Sequence, residues 1–199
     1  MTRDPKKSSP DKRFVLLDRD GTINEERHYL SDPDQVELVS GSAQAIRMLR
    51  EQGLGLVIVT NQSAVGRGYF DEARLDEVNQ RLCRLLEAEG AYVDRIYFCP
   101  HLPEDNCRCR KPGTGMVEQA VKDFGFDPTL AMMVGDRDLD IELGQNVGAT
   151  TFLVASGYGA GTAEDGKTNP DYAVKDLLEA ASVILGLVSE AGRPVKLGN

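Results

Sequence analysis

The chain has 199 residues, 41% apolar and 28% charged, a balance that suits one globular domain with a substantial core. Its 32 acidic residues against 23 basic ones give a formal charge of −9, which argues against a nucleic-acid coat or a polybasic membrane binder. No apolar run approaches the roughly 20 residues that span a bilayer, and the polar start lacks the apolar segment of a secretory signal, so a cytoplasmic monomer with no membrane partner is expected.

Residues 1–12 carry two prolines, two serines and several charges, the composition of a disordered leader. From Phe14 onward, short apolar runs alternate with amphipathic stretches. Phe14–Leu17, Leu54–Val59, Arg95–Phe98, Met132–Val134 and Thr151–Val154 read as strands buried on both faces. Ser42–Gln52 reads as a helix that buries Ala45, Ile46 and Leu49 and stops at Gly53. Asp71 is placed to cap a longer helix, Glu72–Glu89, whose Leu75, Val78, Leu82, Leu85 and Leu86 recur at spacings of three and four. Further helices are expected near Met116–Phe124, Asp140–Asn146 and Asp176–Leu187, with a flexible tail over 189–199. The alternation predicts an α/β fold: a three-layer, Rossmann-like domain over 13–188 with a mostly parallel central sheet, whose ligands gather at the C-terminal strand ends. Two long connections, Asn24–Gly41 and Cys99–Gly115, follow strands and are expected to carry function, whereas Gly157–Gly161 reads as a surface loop.

Three strand ends carry candidate chemistry. The first strand runs into Asp18-Arg19-Asp20-Gly21-Thr22, and side chains two apart on extended backbone point the same way. Two converging carboxylates repel unless a cation bridges them or one holds a proton, although Asp-Gly is also a common turn dipeptide. The fourth strand ends in Gly135-Asp136-Arg137-Asp138-Leu139-Asp140, which brings Asp136 to the same edge if the strands are neighbours. Such oxygen ligands suit Mg²⁺, while helix capping is the alternative for Asp136 and Asp140. Thr60-Asn61-Gln62-Ser63 and Lys111 supply donors for phosphate oxygens. Cys99, His101, Cys107 and Cys109 lie within eleven residues and match a closed, structural zinc site in the 99–109 loop, just before Arg110 and Lys111. Cys83 falls inside a helix and reads as a packed or half-exposed thiol.

In this order the motifs DxDGT, T, K and GDxxxD resemble the haloacid dehalogenase superfamily of phosphatases over about residues 14–154. The resemblance implies a fold without a large cap domain and assigns catalysis to Asp18, Asp20, Thr60 and Lys111. Asp18 would be the nucleophile and Asp20 the acid and base. Mg²⁺ would be held by the Asp18 carboxylate, the Asp20 carbonyl and Asp136, with Asp140 supporting it from outside. Thr60, Asn61 and Lys111 would stabilise the phosphoryl group, and Arg67, Arg110, Lys111 and Arg137 would make the pocket locally positive.

Within the superfamily, Asp18–Asn24, Thr60–Ser63, Arg67-Gly68 and the run ending Cys109-Arg110-Lys111-Pro112 resemble the family of heptose 1,7-bisphosphate 7-phosphatases. That likeness implies substrate contacts from Glu26, Arg27, His28, Tyr29, Thr60, Asn61, Gln62, Ser63, Arg110, Lys111 and Arg137. His28 has surface polarity as its competing reading. Position 137 departs from the pattern, since relatives often have Lys there, and Arg keeps the charge while changing the geometry. The zinc loop is similar also to that of histidinol-phosphate phosphatases, the second reading; a non-catalytic zinc-bearing scaffold of the same fold is the third.

Overall fold

The computed structural model describes residues 12–191; the expected leader, apart from Lys12, and the expected tail beyond Ala191 lie outside them. Within them six strands form a single parallel sheet in the order β3-β2-β1-β4-β5-β6. The strands are β1 Phe14–Leu17, β2 Gly55–Asn61, β3 Arg95–Cys99, β4 Met132–Gly135, β5 Thr150–Val154 and β6 Tyr172–Val174. The helices are α1 Ser42–Glu51, α2 Ser63–Gly66, α3 Glu72–Ala88, α4 Gly115–Phe124, α5 Asp138–Asn146, α6 Gly159–Asp165 and α7 Leu177–Ala191.

The period of two along β1 creates the layers. Val15 and Leu17 pack with Ile46 and Leu49 of α1, Leu82 of α3 and Ile184 of α7. Phe14 and Leu16 point the other way, onto Val117 and Phe124 of α4 and Leu143 of α5. Both faces of the sheet are therefore covered, which is why its strands are continuous apolar runs. The expected capping of α3 is present: the Asp71 carboxylate accepts from the Arg74 N–H at 2.9 Å.

Three expectations need correction. The tail was placed from residue 189, but α7 continues to Ala191. The stretch expected as a Gly157–Gly161 surface loop turns into α6, with Gly159 buried. The edge strand β6 is missing from the sequence reading because it has only three residues, Tyr-Ala-Val, whose one exposed position is an alanine and so leaves no polar–apolar alternation. The two long connections contain short 3-10 turns, at Pro33–Gln35 and Pro103–Asp105, and the first is tied at its ends by an Asn24–Leu38 bridge.

Register sets the site. Leu17 of β1 is aligned with Ile58 of β2 and Val134 of β4, so Asp18 emerges level with the end of β4 while β2 runs on past it to Asn61, and the Asp18 N–H donates to the Val134 carbonyl at 2.9 Å. No helix among the described residues is long and apolar enough to cross a membrane.

Candidate active site

Lys111 arrives at this edge from the loop after β3 and is buried. Its ammonium contacts Asp18 Oδ1 at 2.7 Å and Asp140 Oδ1 at 2.6 Å and donates to the Val59 carbonyl at 3.0 Å. The Val59 carbonyl takes one hydrogen bond, and the two carboxylates meet the ammonium as ion pairs. The Asn61 amide holds the Lys111 main chain from both sides, accepting from its N–H at 3.0 Å and donating to its carbonyl at 3.3 Å. Asn61, expected to hold phosphate, lines the cleft but has its side chain committed to positioning Lys111.

Asp18, Asp136 and Asp140 place a carboxylate oxygen each within 4.8 Å of one another, all buried. Of its two sequence readings Asp140 shows the capping one: Oδ2 accepts from the Arg137 N–H at 3.0 Å at the start of α5, while Oδ1 faces Lys111. Asp136 Oδ2 accepts from the Tyr158 N–H at 2.8 Å, and its Oδ1 is buried without a hydrogen-bond partner. Gly21 and Gly157, both at positive φ, close over this carboxylate, and a Cβ on either would strike Asp136 Oδ2. The glycine at 157 therefore belongs to the site.

Three buried carboxylates against one ammonium leave two negative charges uncompensated. Burial and the nearby Asp140 charge push Asp18 up to about 7 despite Lys111, and burial with the charges of Asp18 and Asp140 pushes Asp136 up to about 8. Burial alone would lower Lys111, but Asp140 and Asp18 hold it well above the usual lysine range. A hard divalent cation with oxygen ligands fits the deficit and the orphaned Asp136 Oδ1.

Asp20 is treated differently. The chain turns at Arg19, whose carbonyl accepts from the N–H groups of residues 22, 23 and 24, and the Arg19 guanidinium folds back onto the neighbouring carboxylate. Asp20 accepts from Arg19 NH2 at 2.8 Å, Asn24 Nδ2 at 2.9 Å and Gln62 Nε2 at 2.9 Å. Burial acts upward on Asp20, but the Arg19 charge and these hydrogen bonds outweigh it and hold the carboxyl below its ordinary value. The like charge that weighs most on Asp18 is therefore Asp140, with Asp20 a lesser one.

Above these groups lies a cleft of about 310 Å³ lined by every expected substrate contact except Arg27. Arg27 turns outward to Glu37 at 2.6 Å, because consecutive side chains of the 26–29 segment cannot all face one side. His28, at a φ of 55°, is exposed yet reaches the Tyr158 hydroxyl at 2.9 Å across the cleft mouth. The Arg137 guanidinium lies 3.7 Å from the centre of the Tyr158 ring, a stacking geometry that Lys would not reproduce. Sequence reasoning missed Tyr158 and, as a positioning group, Arg19. A buried arginine between two aspartates was the available signal for the latter; nothing local announces Tyr158.

The four atoms Cys99 Sγ, His101 Nδ1, Cys107 Sγ and Cys109 Sγ also cluster within 4.8 Å. Sulfur separations of 3.5, 3.4 and 3.1 Å approach the about 3.8 Å that tetrahedral Zn–S bonds of about 2.3 Å require. Burial acts upward on Cys107, but the Arg110 N–H and the neighbouring thiols bring it down to about 7, towards the thiolate a metal needs. The loop docks on the site through the Gln62 N–H, which donates to the Cys99 carbonyl at 2.7 Å, and Arg110 donates to the His101 carbonyl at 3.3 Å. Cys83 is half-buried, as expected.

A parallel sheet with this acid cluster at the end of its central strand defines a haloacid dehalogenase-like hydrolase, and the family model of that description matches residues 108–180. The D-glycero-beta-D-manno-heptose-1,7-bisphosphate 7-phosphatase of Pasteurella multocida is 37% identical over 185 residues, covering 89% of this chain and all of the relative. The enzyme of that name from Haemophilus influenzae is 37% identical over 164 residues, 76% of this chain and 89% of its own. The crystal structure of D,D-heptose 1,7-bisphosphate phosphatase from B. bronchiseptica, complexed with magnesium and phosphate, superposes with a TM-score of 0.82 at 34% identity, covering 88% of this chain and 99% of that one. The chain belongs to this family of heptose bisphosphate 7-phosphatases.

Proposed function

We propose that the protein is a Mg²⁺-dependent phosphatase that removes the 7-phosphate of D-glycero-D-manno-heptose 1,7-bisphosphate. The observation that carries the reading is a buried Asp18 carboxylate, bonded to Lys111 and set among acids two charges short of balance, at the floor of a cleft rimmed by Arg67, Arg110 and Arg137. Asp18 and Asp136 through carboxylates, and Asp20 through its carbonyl, are the groups that would hold Mg²⁺, with Asp140 in support. When bound, the ion neutralises the cluster and the approaching phosphate.

An Asp18 oxygen attacks phosphorus as the bond from phosphorus to the C7 oxygen breaks, and Asp20, which must begin the cycle protonated against the pull of the Arg19 charge, gives that proton to the departing oxygen. Asp20, now a carboxylate, takes a proton from water, whose oxygen attacks phosphorus and releases inorganic phosphate and the Asp18 carboxylate. Proton gain and loss at Asp20 balance over the cycle. Lys111 keeps Asp18 oriented, Asn61 keeps Lys111 in place, and Thr60, with its hydroxyl accepting from Gln62 Nε2 at 2.9 Å, lies at the phosphoryl end of the cleft. Asn61, Gln62, Ser63, Glu26, His28 and Tyr29 border the sugar, and Arg110 and Arg137 face the far phosphate. Cys99, His101, Cys107 and Cys109 would hold zinc with four protein ligands, and the ion would serve to fix the loop that delivers Arg110 and Lys111. Cysteines that form no disulfide among the described residues suit a reducing, cytoplasmic setting.

Three arginines favour a second phosphate over the ammonium of histidinol phosphate. The test is phosphate release with Mg²⁺ from each anomer of the bisphosphate and from histidinol phosphate, with Asp18→Asn as blank. Turnover of the bisphosphate alone supports the assignment; preference for histidinol phosphate, or activity retained by Asp18→Asn, overturns it.

A further inference from the structure

The groups holding Asp20 extend beyond the cleft. Arg19 is 1% exposed and is the largest of the fully buried side chains. Its Nε and NH2 engage Asp20, and its remaining terminal nitrogen, NH1, donates to Asn79 Oδ1 at 2.8 Å. Asn79 sits in the middle of α3, sixty residues away in sequence, and its side chain does not line the substrate cleft. It borders a separate groove of about 670 Å³ between α3 and β3.

A guanidinium is planar, so fixing NH1 at one end fixes the direction in which the other edge presents its two hydrogens. Asp20 stands on a turn closed by a bridge to Asn24 and followed by Gly21 at a φ of 80°, and beside Asn24 and Gln62 it is Arg19 that grips its carboxylate through two nitrogens. We propose that Asn79 is a remote positioning residue for the reaction: through Arg19 it sets the orientation of the Asp20 carboxyl that protonates the departing oxygen. The inference rests on the acid–base role of Asp20 given above. Helix α3 thereby acts as a rigid support for a proton-transfer group, which must lie within hydrogen-bond reach of the leaving oxygen to contribute.

Replacing Arg19 would strand a buried carboxylate and threaten folding, so the test is made at Asn79, where truncation enlarges an existing groove instead of opening a void in the core. Asn79→Ala, Asn79→Asp and Asp20→Asn are assayed with the heptose bisphosphate and with p-nitrophenyl phosphate, whose leaving oxygen needs no proton. The expected result for Asn79→Ala is an about tenfold loss of kcat/KM on the sugar phosphate, with unchanged KM and at most an about threefold loss on the aryl ester. Asn79→Asp, which keeps the acceptor, restores the sugar phosphate rate to within about threefold of the parent. Equal losses on both esters, no loss at all, or Asn79→Asp no better than Asn79→Ala overturn the proposal while Asp20→Asn remains inactive. An Asp20→Asn protein with full turnover of the sugar phosphate overturns the acid assignment itself.

Discussion

Replacing Asp136 by asparagine makes the Mg²⁺-free protein more stable while removing its response to Mg²⁺. Asp136 is fully buried, one oxygen has no partner, and burial with the Asp18 and Asp140 charges raises it to about 8. A carboxyl raised in the folded state ionises first in the unfolded chain, so folding loses stability as pH climbs from the unfolded value near 4 to the folded one. At pH 7 about three units of that rise have been crossed, and at about 1.4 kcal/mol per unit the ceiling is about 4 kcal/mol. Asp18 rises with it and shares the protonation, so about 2–4 kcal/mol is expected. Asparagine keeps the acceptor for the Tyr158 N–H and offers its amide hydrogens to the neighbouring acids. Urea titrations in Mg²⁺-free buffer without chelator, which preserves any zinc, should give a higher midpoint for Asp136→Asn at pH 7.5 and a gap closing to about 1 kcal/mol by pH 4.5. With Mg²⁺ at a hundredfold over its Kd the parent should gain about 2.7 kcal/mol and the variant nothing. A variant no more stable than the parent at pH 7.5, or a gap that does not narrow on acidification, refutes the charge-deficit account.

Two further outcomes follow from the same geometry. Gly157→Ala should weaken Mg²⁺ activation at least about tenfold and destabilise the fold by about 1–3 kcal/mol, because the new Cβ meets Asp136 at a positive φ; Mg²⁺ titration of activity and urea unfolding check both, and parental behaviour in either removes the close approach as a constraint. Elemental analysis of protein purified without chelator should find one zinc per chain, lost in Cys107→Ser together with protease resistance of the 99–109 loop; a metal-free parent would sink the zinc assignment.

Asp18 and Asp136 stand out in the sequence because each sits immediately after an apolar strand, where composition changes abruptly: Leu17 to Asp18, Gly135 to Asp136. The Cys/His cluster was legible because all four residues lie in one short loop, so little folding information is needed to bring them together. Arg27 was misjudged because a four-residue motif does not say which of its side chains turn inward, and that is decided by the Glu37 carboxylate on the returning chain. Asn61 was given a phosphate because its partner, the Lys111 peptide, is fifty residues distant. Tyr158 and Asn79 lie in a glycine-rich loop and an ordinary amphipathic helix, and their polar roles have no local signature.

Periodicity, strand-end chemistry and the cysteine spacing thus determined the layered parallel fold, the acids gathered at its central strand ends and the Cys/His cluster of the loop. Tertiary structure alone decided how the charges pair: Lys111 with Asp18 and Asp140, Arg19 with Asp20 and Asn79, Arg137 on the Tyr158 ring. The physical reason is that periodicity is a property of neighbours along the chain, whereas the partner of a buried charge is whichever group the sheet register brings within about 3 Å.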